Sequence, residues 1–84
     1  MSWAFRLECR DPLKLGHEVW TPFSYEPSLE WARDSLRKTF LGHKHDASSV
    51  KSARKWEELA DEAMDLPLGK VLEYESKQWR IMWE

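Results

Sequence analysis

The sequence holds a single cysteine, Cys9, so no disulfide can form within it. That fits a reducing, intracellular setting, and a cytoplasmic location is the expectation. Glycine is nearly as scarce: Gly16, Gly42 and Gly69 are the only three, and each stands where a turn or a helix cap accounts for it. No apolar run approaches the ~20 residues that a membrane span needs. Residues 1–10 alternate polar and apolar side chains, so they read as neither a secretory signal nor an anchor. Internal repeats and low-complexity tracts are missing as well. The catalytic signatures G-x-S-x-G, Gly-Lys-Ser/Thr of a phosphate loop and H-E-x-x-H do not occur. Enzyme is therefore the least supported class, with no cofactor expected.

What is present is aromatic and charged. Six tryptophans, three phenylalanines and two tyrosines stand in 84 residues, and 33% of the chain is charged. A chain this short buries only about 60–65% of the surface its unfolded form exposes. Each buried aromatic removes roughly 150–250 Å² from water, so a few rings can hold a small core together. One globular domain over residues 1–84 is the expectation.

Periodicity divides the chain into elements. Trp3, Phe5, Leu7 and Cys9 alternate with Ala4, Arg6 and Glu8, the pattern of a half-buried strand that Asp11-Pro12 ends. A short second strand is placed at His17–Thr21, stopped by Pro22. Leu29, Ala32, Leu36 and Phe40 form the stripe of a first helix, beginning near Pro27 or Ser28 and ending at Leu41 with Gly42 as a left-handed cap. A polar loop from His43 to Asp46 follows. A second helix then runs from about Ser49 to Asp65, burying Ala53, Trp56, Ala60, Ala63 and Met64 with Leu59 beside them, until Pro67 and Gly69 break it. The C-terminus reads as a hairpin with its turn at Ser76-Lys77, pairing Tyr74 with Trp79, Leu72 with Ile81 and Glu73 with Arg80. A longer loop, Glu75 to Gln78, fits as well. The class is α+β in the order β-(β)-α-α-β-β, with two helices on one face of a three- or four-stranded antiparallel sheet.

The net charge of −2 conceals a sharp division. Residues 33–56 carry Arg33, Arg37, Lys38, Lys44, Lys51, Arg54 and Lys55 against Asp34 and Asp46. Residues 57–65 carry Glu57, Glu58, Asp61, Glu62 and Asp65 with no base. On a helix, Glu58, Asp61, Glu62 and Asp65 spread over the side away from the apolar stripe. They form like-charge pairs at i, i+4 and oppose the dipole at the helix C-terminus. A sequence tuned for stability alone would reverse these charges, and such conflicts collect at functional positions.

The functional reading is a non-catalytic module that occupies the surface of a basic protein partner through Glu58, Asp61, Glu62 and Asp65, with Trp31 as an exposed aromatic anchor. Trp31 falls opposite the first helix's stripe. Accessory or inhibitor-type proteins, of the kind that phages and mobile elements encode, have this profile. The bland reading has Arg33, Arg37 and Lys38 neutralising the acids and Trp31 covering residues 19–25. The alternative function is nucleic-acid binding through Arg37, Lys38, Lys44, Lys51, Arg54 and Lys55, with Trp31 or Trp20 stacking on bases. Association of two copies, basic block on acidic block, is a third reading. His43, His45 and Asp46, joined by His17 or Cys9, have metal-ligand chemistry but no second pair at zinc spacing, so no metal is expected. Cys9, Trp3, Trp56, Trp79 and Trp83 are assigned to the core, and a pocket of ~300 Å³ or more is not expected in so small a domain.

Overall fold

The computed structural model describes residues 4–84. β1 (Phe5–Arg10) keeps its alternation: Phe5 and Leu7 are buried and Cys9 half-buried on the core side. Trp3, placed on the same face, lies outside the described residues. β1 is interior to the sheet, which runs β2-β1-β4-β3 with every pairing antiparallel. Both helices pack on one face of this open sheet, as the α+β pattern implies.

The second strand differs from its expected place. β2 spans Thr21–Glu26, with Pro22 inside it rather than beyond its end. Two features admit the proline. β2 is an edge strand, where a missing N–H breaks no necessary ladder bond. The β1 register also shifts between Leu7 and Glu8, a bulge that leaves Phe23 without a partner beside Pro22. Residues 11–17 form a loop closed by three backbone bonds instead: Asp11 N–H to His17 O at 2.8 Å, Lys14 N–H to Asp11 O at 3.1 Å and His17 N–H to Lys14 O at 2.9 Å.

α1 (Leu29–His45) starts where Ser28 caps it, the hydroxyl accepting the Trp31 N–H at 3.2 Å. It runs a turn further than Leu41. Gly42 continues the helix and accepts the Asp46 N–H at 3.3 Å, so it is no left-handed cap. The extra turn is held from the side: the His43 ring stacks on Trp56 at 4.4 Å, a tertiary contact that offsets the ~1 kcal/mol cost of a helical glycine. His43, Lys44 and His45 thus occupy the last turn, where the positive charge of Lys44 suits the dipole.

α2 (Val50–Ala63) is capped by Ser49, which accepts the Ser52 N–H at 3.1 Å. It buries Trp56, Leu59, Ala60 and Ala63. Met64, expected in the stripe, is 57% exposed, and Leu66 fills the core after the helix ends. The ring system between helices and sheet is tight. Trp79 of the sheet meets Phe40 edge-on at 5.0 Å and Trp56 at 5.6 Å, and Tyr74 meets Trp56 edge-on at 4.9 Å. Trp83 is not core: it is mostly exposed and stacks on Phe5 at 4.6 Å.

β3 (Leu72–Tyr74) and β4 (Lys77–Trp83) make the hairpin, turning on Glu75-Ser76 with φ of 51° and 67°. Two positive φ values mark the mirror-image turn whose twist matches the strands. Leu72 therefore faces Trp79 and Tyr74 faces Lys77, two residues from the expected register. A shift of two keeps every side chain on its face, so the core assignment holds. Arg80 finds its acid in Glu8 of β1 rather than in Glu73.

Glu8 lies on the face turned from the helices and is yet only 5% exposed. Its carboxylate accepts from Arg6 Nε at 2.9 Å and Arg80 Nε at 2.7 Å. Trp20 lies against the guanidinium groups of Arg80 and Arg10, at 4.1 and 4.5 Å from the ring centre. Burial pushes the Glu8 carboxyl up, but the two arginine hydrogen bonds outweigh it and hold it below the usual glutamate value.

Two outcomes follow for stability. Glu8→Gln should lower unfolding free energy near neutral pH by about 1–3 kcal/mol in urea titrations. Because the folded-state pKa is depressed, that difference is present above the unfolded value of about 4.3 and shrinks toward zero as pH falls below it. Glu75→Asn, which suits the first position of the mirror-image turn, should raise the urea midpoint by an amount worth about 0.5–1 kcal/mol.

Candidate functional site

The antiparallel helix pair brings the start of α1 beside the end of α2. Arg33 of α1 donates through Nε to the Leu66 carbonyl just past α2, at 3.1 Å. With Trp56, Leu59, Ala60 and Ala63 turned inward, helical geometry turns Glu58, Asp61 and Glu62 outward. The helix ends at Ala63, short of the expected Asp65, which lies in the turn that follows, its N–H donating to the Glu62 carbonyl at 3.3 Å. All four acids are exposed.

Their partners decide whether this face is neutral. Glu57 pairs with Lys44 at 2.7 Å, and the Lys44 hydrogen bond holds its carboxyl below the usual range. Glu58 has only Lys55 at 3.9 Å, one turn back on the same helix. Asp61, Glu62 and Asp65 form no ion pair among the described residues. The nearby bases are committed elsewhere. Arg37 and Lys38 clamp Asp34 at 2.9 and 3.0 Å, and hydrogen bonds from Arg37 and then Lys38 push that carboxyl down. Arg33 uses its Nε on a carbonyl that the ending helix leaves without an N–H.

Trp31 is 67% exposed, too open to be covering residues 19–25. Trp20, the other tryptophan off the pattern, is held against the arginines of the sheet. Two shallow clefts adjoin at the α1 start. One, of about 310 Å³, is lined by Glu30, Trp31, Asp34 and Lys38. The other, of about 340 Å³, shares Glu30 and Asp34 and adds Arg33, Arg37, Met64 and Asp65. Trp31 and Met64 thus flank one surface with Asp65 between helices. Met64 was missed as a surface residue because it stands at the border of the apolar stripe, where periodicity assigns it inward.

Glu58 does not join this surface. It lines a separate cleft of about 550 Å³ with Lys51, Arg54, Lys55, Val50 and Tyr74. The six bases of the nucleic-acid reading do not converge either. Lys51, Arg54 and Lys55 share that cleft, while Arg37, Lys38 and Lys44 are paired with Asp34 and Glu57.

The histidines part company. His43 lies flat on Trp56, half-buried, while His45 and Asp46 are exposed. No three His, Cys, Asp or Glu side chains are grouped for a metal among the described residues. His43 does line a cleft of about 330 Å³ at the open end of the sheet, with Cys9, Asp11, Lys14, Lys77 and Trp79 among its walls. Its size overturns the expectation that so small a domain has no pocket of ~300 Å³, and the cleft was not legible locally because its walls come from β1, the 11–17 loop, β2, α1 and β4. Burial raises the Cys9 thiol, with Lys77 opposing in part. No hydrogen bond joins Cys9 to a histidine among the described residues, so its thiol lacks the base that activates a nucleophile.

No helix is long and apolar enough to cross a membrane among the described residues. No family model matches the chain, and no curated protein or solved structure matches it either.

Reversing the exposed acids tests their isolation. D61K/E62K/D65K should leave the melting temperature unchanged or raise it by a few degrees, since basic residues at a helix C-terminus complement the dipole. A fall in melting temperature would mean that these carboxylates hold the fold together.

Proposed function

We propose that this chain is a non-catalytic protein-binding module, an accessory or inhibitor-type protein that occupies a basic surface of its partner. The observation that carries the proposal is the set of unpaired, exposed carboxylates Asp61, Glu62 and Asp65 at the α2 end, next to exposed Trp31 and Met64. Trp31 supplies the apolar anchor, since tryptophan is enriched where interfaces concentrate their binding energy. Met64 is flexible and adapts its shape to what meets it. The acids steer a basic partner and set its orientation, adding more to the association rate and specificity than to affinity. The proposal includes a cytoplasmic working place, which a single cysteine suits.

A second reading, nucleic-acid binding, draws on the cleft of Lys51, Arg54 and Lys55, where Tyr74 offers a ring beside the bases. It requires affinity that falls steeply with salt.

Affinity capture from the native host with wild type, Trp31→Ala and D61K/E62K/D65K separates the readings. The docking proposal expects a stoichiometric protein partner that wild type retains and both variants lose, with their folds intact. Equal recovery by all three forms would sink the acidic-surface reading. Retention of nucleic acid by all three, lost only in K51Q/R54Q/K55Q, would favour the second.

A further inference from the structure

We propose that the cleft at the open end of the sheet binds a small organic anion, its charge held by Lys14 and Lys77 and its flat apolar part laid on Trp79 and Cys9. This site is separate from the docking surface. Trp31 sits in the first turn of α1 and His43 in its last, and a helix of 17 residues is about 25 Å long.

Three observations converge on it. First, the cleft has a volume of about 330 Å³, within the range of small-molecule sites. Second, its walls are fastened before any ligand arrives. The Asp11 carboxylate accepts the Leu13 N–H at 3.1 Å and the Ser76 hydroxyl at 2.8 Å, which ties the 11–17 loop to the β3–β4 turn. The loop's own backbone bonds complete the bracing. A preformed site avoids the ordering cost that weakens binding on mobile loops.

Third, the charge is one-sided. Lys14 and Lys77 are exposed and form no ion pair among the described residues. Asp11 is the only carboxylate on the lining among the described residues, and its Oδ1 accepts both of those hydrogen bonds, so one carboxylate stands against two lysines. The Ser76 hydrogen bond chiefly holds the Asp11 carboxyl down, and the charges of Lys77 and Lys14 both add to the effect, so the two lysines act on one place. Beneath them the floor is apolar: Trp79 is 4% exposed and Cys9 is half-buried. Burial, then Lys77, push His43 below its ordinary value against a smaller opposing pull from Asp46. That shift favours the uncharged ring, which stands as a wall with a hydrogen-bonding edge. Two free cations over an apolar floor suit a phosphate or carboxylate attached to a ring or short hydrocarbon.

Amide-resolved NMR titrations with phenyl phosphate, inorganic phosphate and phenol test this. Phenyl phosphate should give saturable shifts centred on Lys14, His17, His43 and Lys77. Inorganic phosphate should bind about tenfold more weakly, and phenol should not saturate. K14Q/K77Q should lose about tenfold in phenyl phosphate affinity, while K51Q keeps it. Both lysines are exposed, and a dispersed spectrum establishes that the double variant is folded; either single variant should show part of the loss. Shifts that never saturate, shifts centred on Lys51 and Lys55, or unchanged affinity in folded K14Q/K77Q would overturn the proposal. Equal affinity for phenyl and inorganic phosphate would overturn the apolar floor as a determinant.

Discussion

Trp56 standing edge-on to Trp79 is the contact on which the rest of this structure depends. A domain of 84 residues has room for few large side chains, and these two, with Phe40 and Tyr74, form one cluster of ring contacts between helices and sheet. A tryptophan that must face inward fixes the rotation of the helix that carries it. Once Trp56 is inside, the acids of α2 have nowhere to go but out. The same ring supports His43, and that stacking carries α1 through Gly42 and places a histidine at the mouth of the cleft. Core packing and both candidate sites thus share one cause.

The opposite face of the sheet solves a different problem. An open four-stranded sheet with helices on one side exposes its other side, where unprotected strands invite association. Here that side is closed by charge rather than by apolar packing. Glu8 sits between Arg6 and Arg80, and Trp20 lies over the guanidinium groups. The arrangement engages Trp20 and Arg80 with each other, although Phe23, Tyr25 and Trp83 of the sheet stay exposed.

Much of this was legible in the residues. The alternation at Phe5, Leu7 and Cys9, the helix starts near Ser28 and Ser49, the inward Trp56 and Trp79 and the outward Trp31 all came from local pattern, which sterics and burial make dependable. The misplaced features depended on contacts between distant segments. Pro22 ends a strand in isolation, but an edge position with a bulge opposite makes it tolerable. Gly42 looks like a cap until His43 finds Trp56. Arg80 pairs plausibly with Glu73 by hairpin register alone, yet Glu8 arrives from 72 residues away. The site residues divided the same way. Asp61 and Glu62 are outward because helical phase puts them there and Asp65 is exposed in the turn beyond Ala63, whereas Glu58 lines a basic cleft with its neighbours Lys51, Arg54 and Lys55.

The chain leaves the carboxylates at the end of α2 without an internal counter-charge, although Arg33 lies against the same cleft as Asp65. A double-mutant cycle on Asp65→Asn and Arg33→Gln, read as unfolding free energy at low salt, addresses it directly. The cycle removes the cost of losing the Arg33 bond to Leu66 O and leaves the coupling between the two side chains. The account requires a coupling energy indistinguishable from zero. A favourable coupling of about 1 kcal/mol or more would show that the protein neutralises this surface itself.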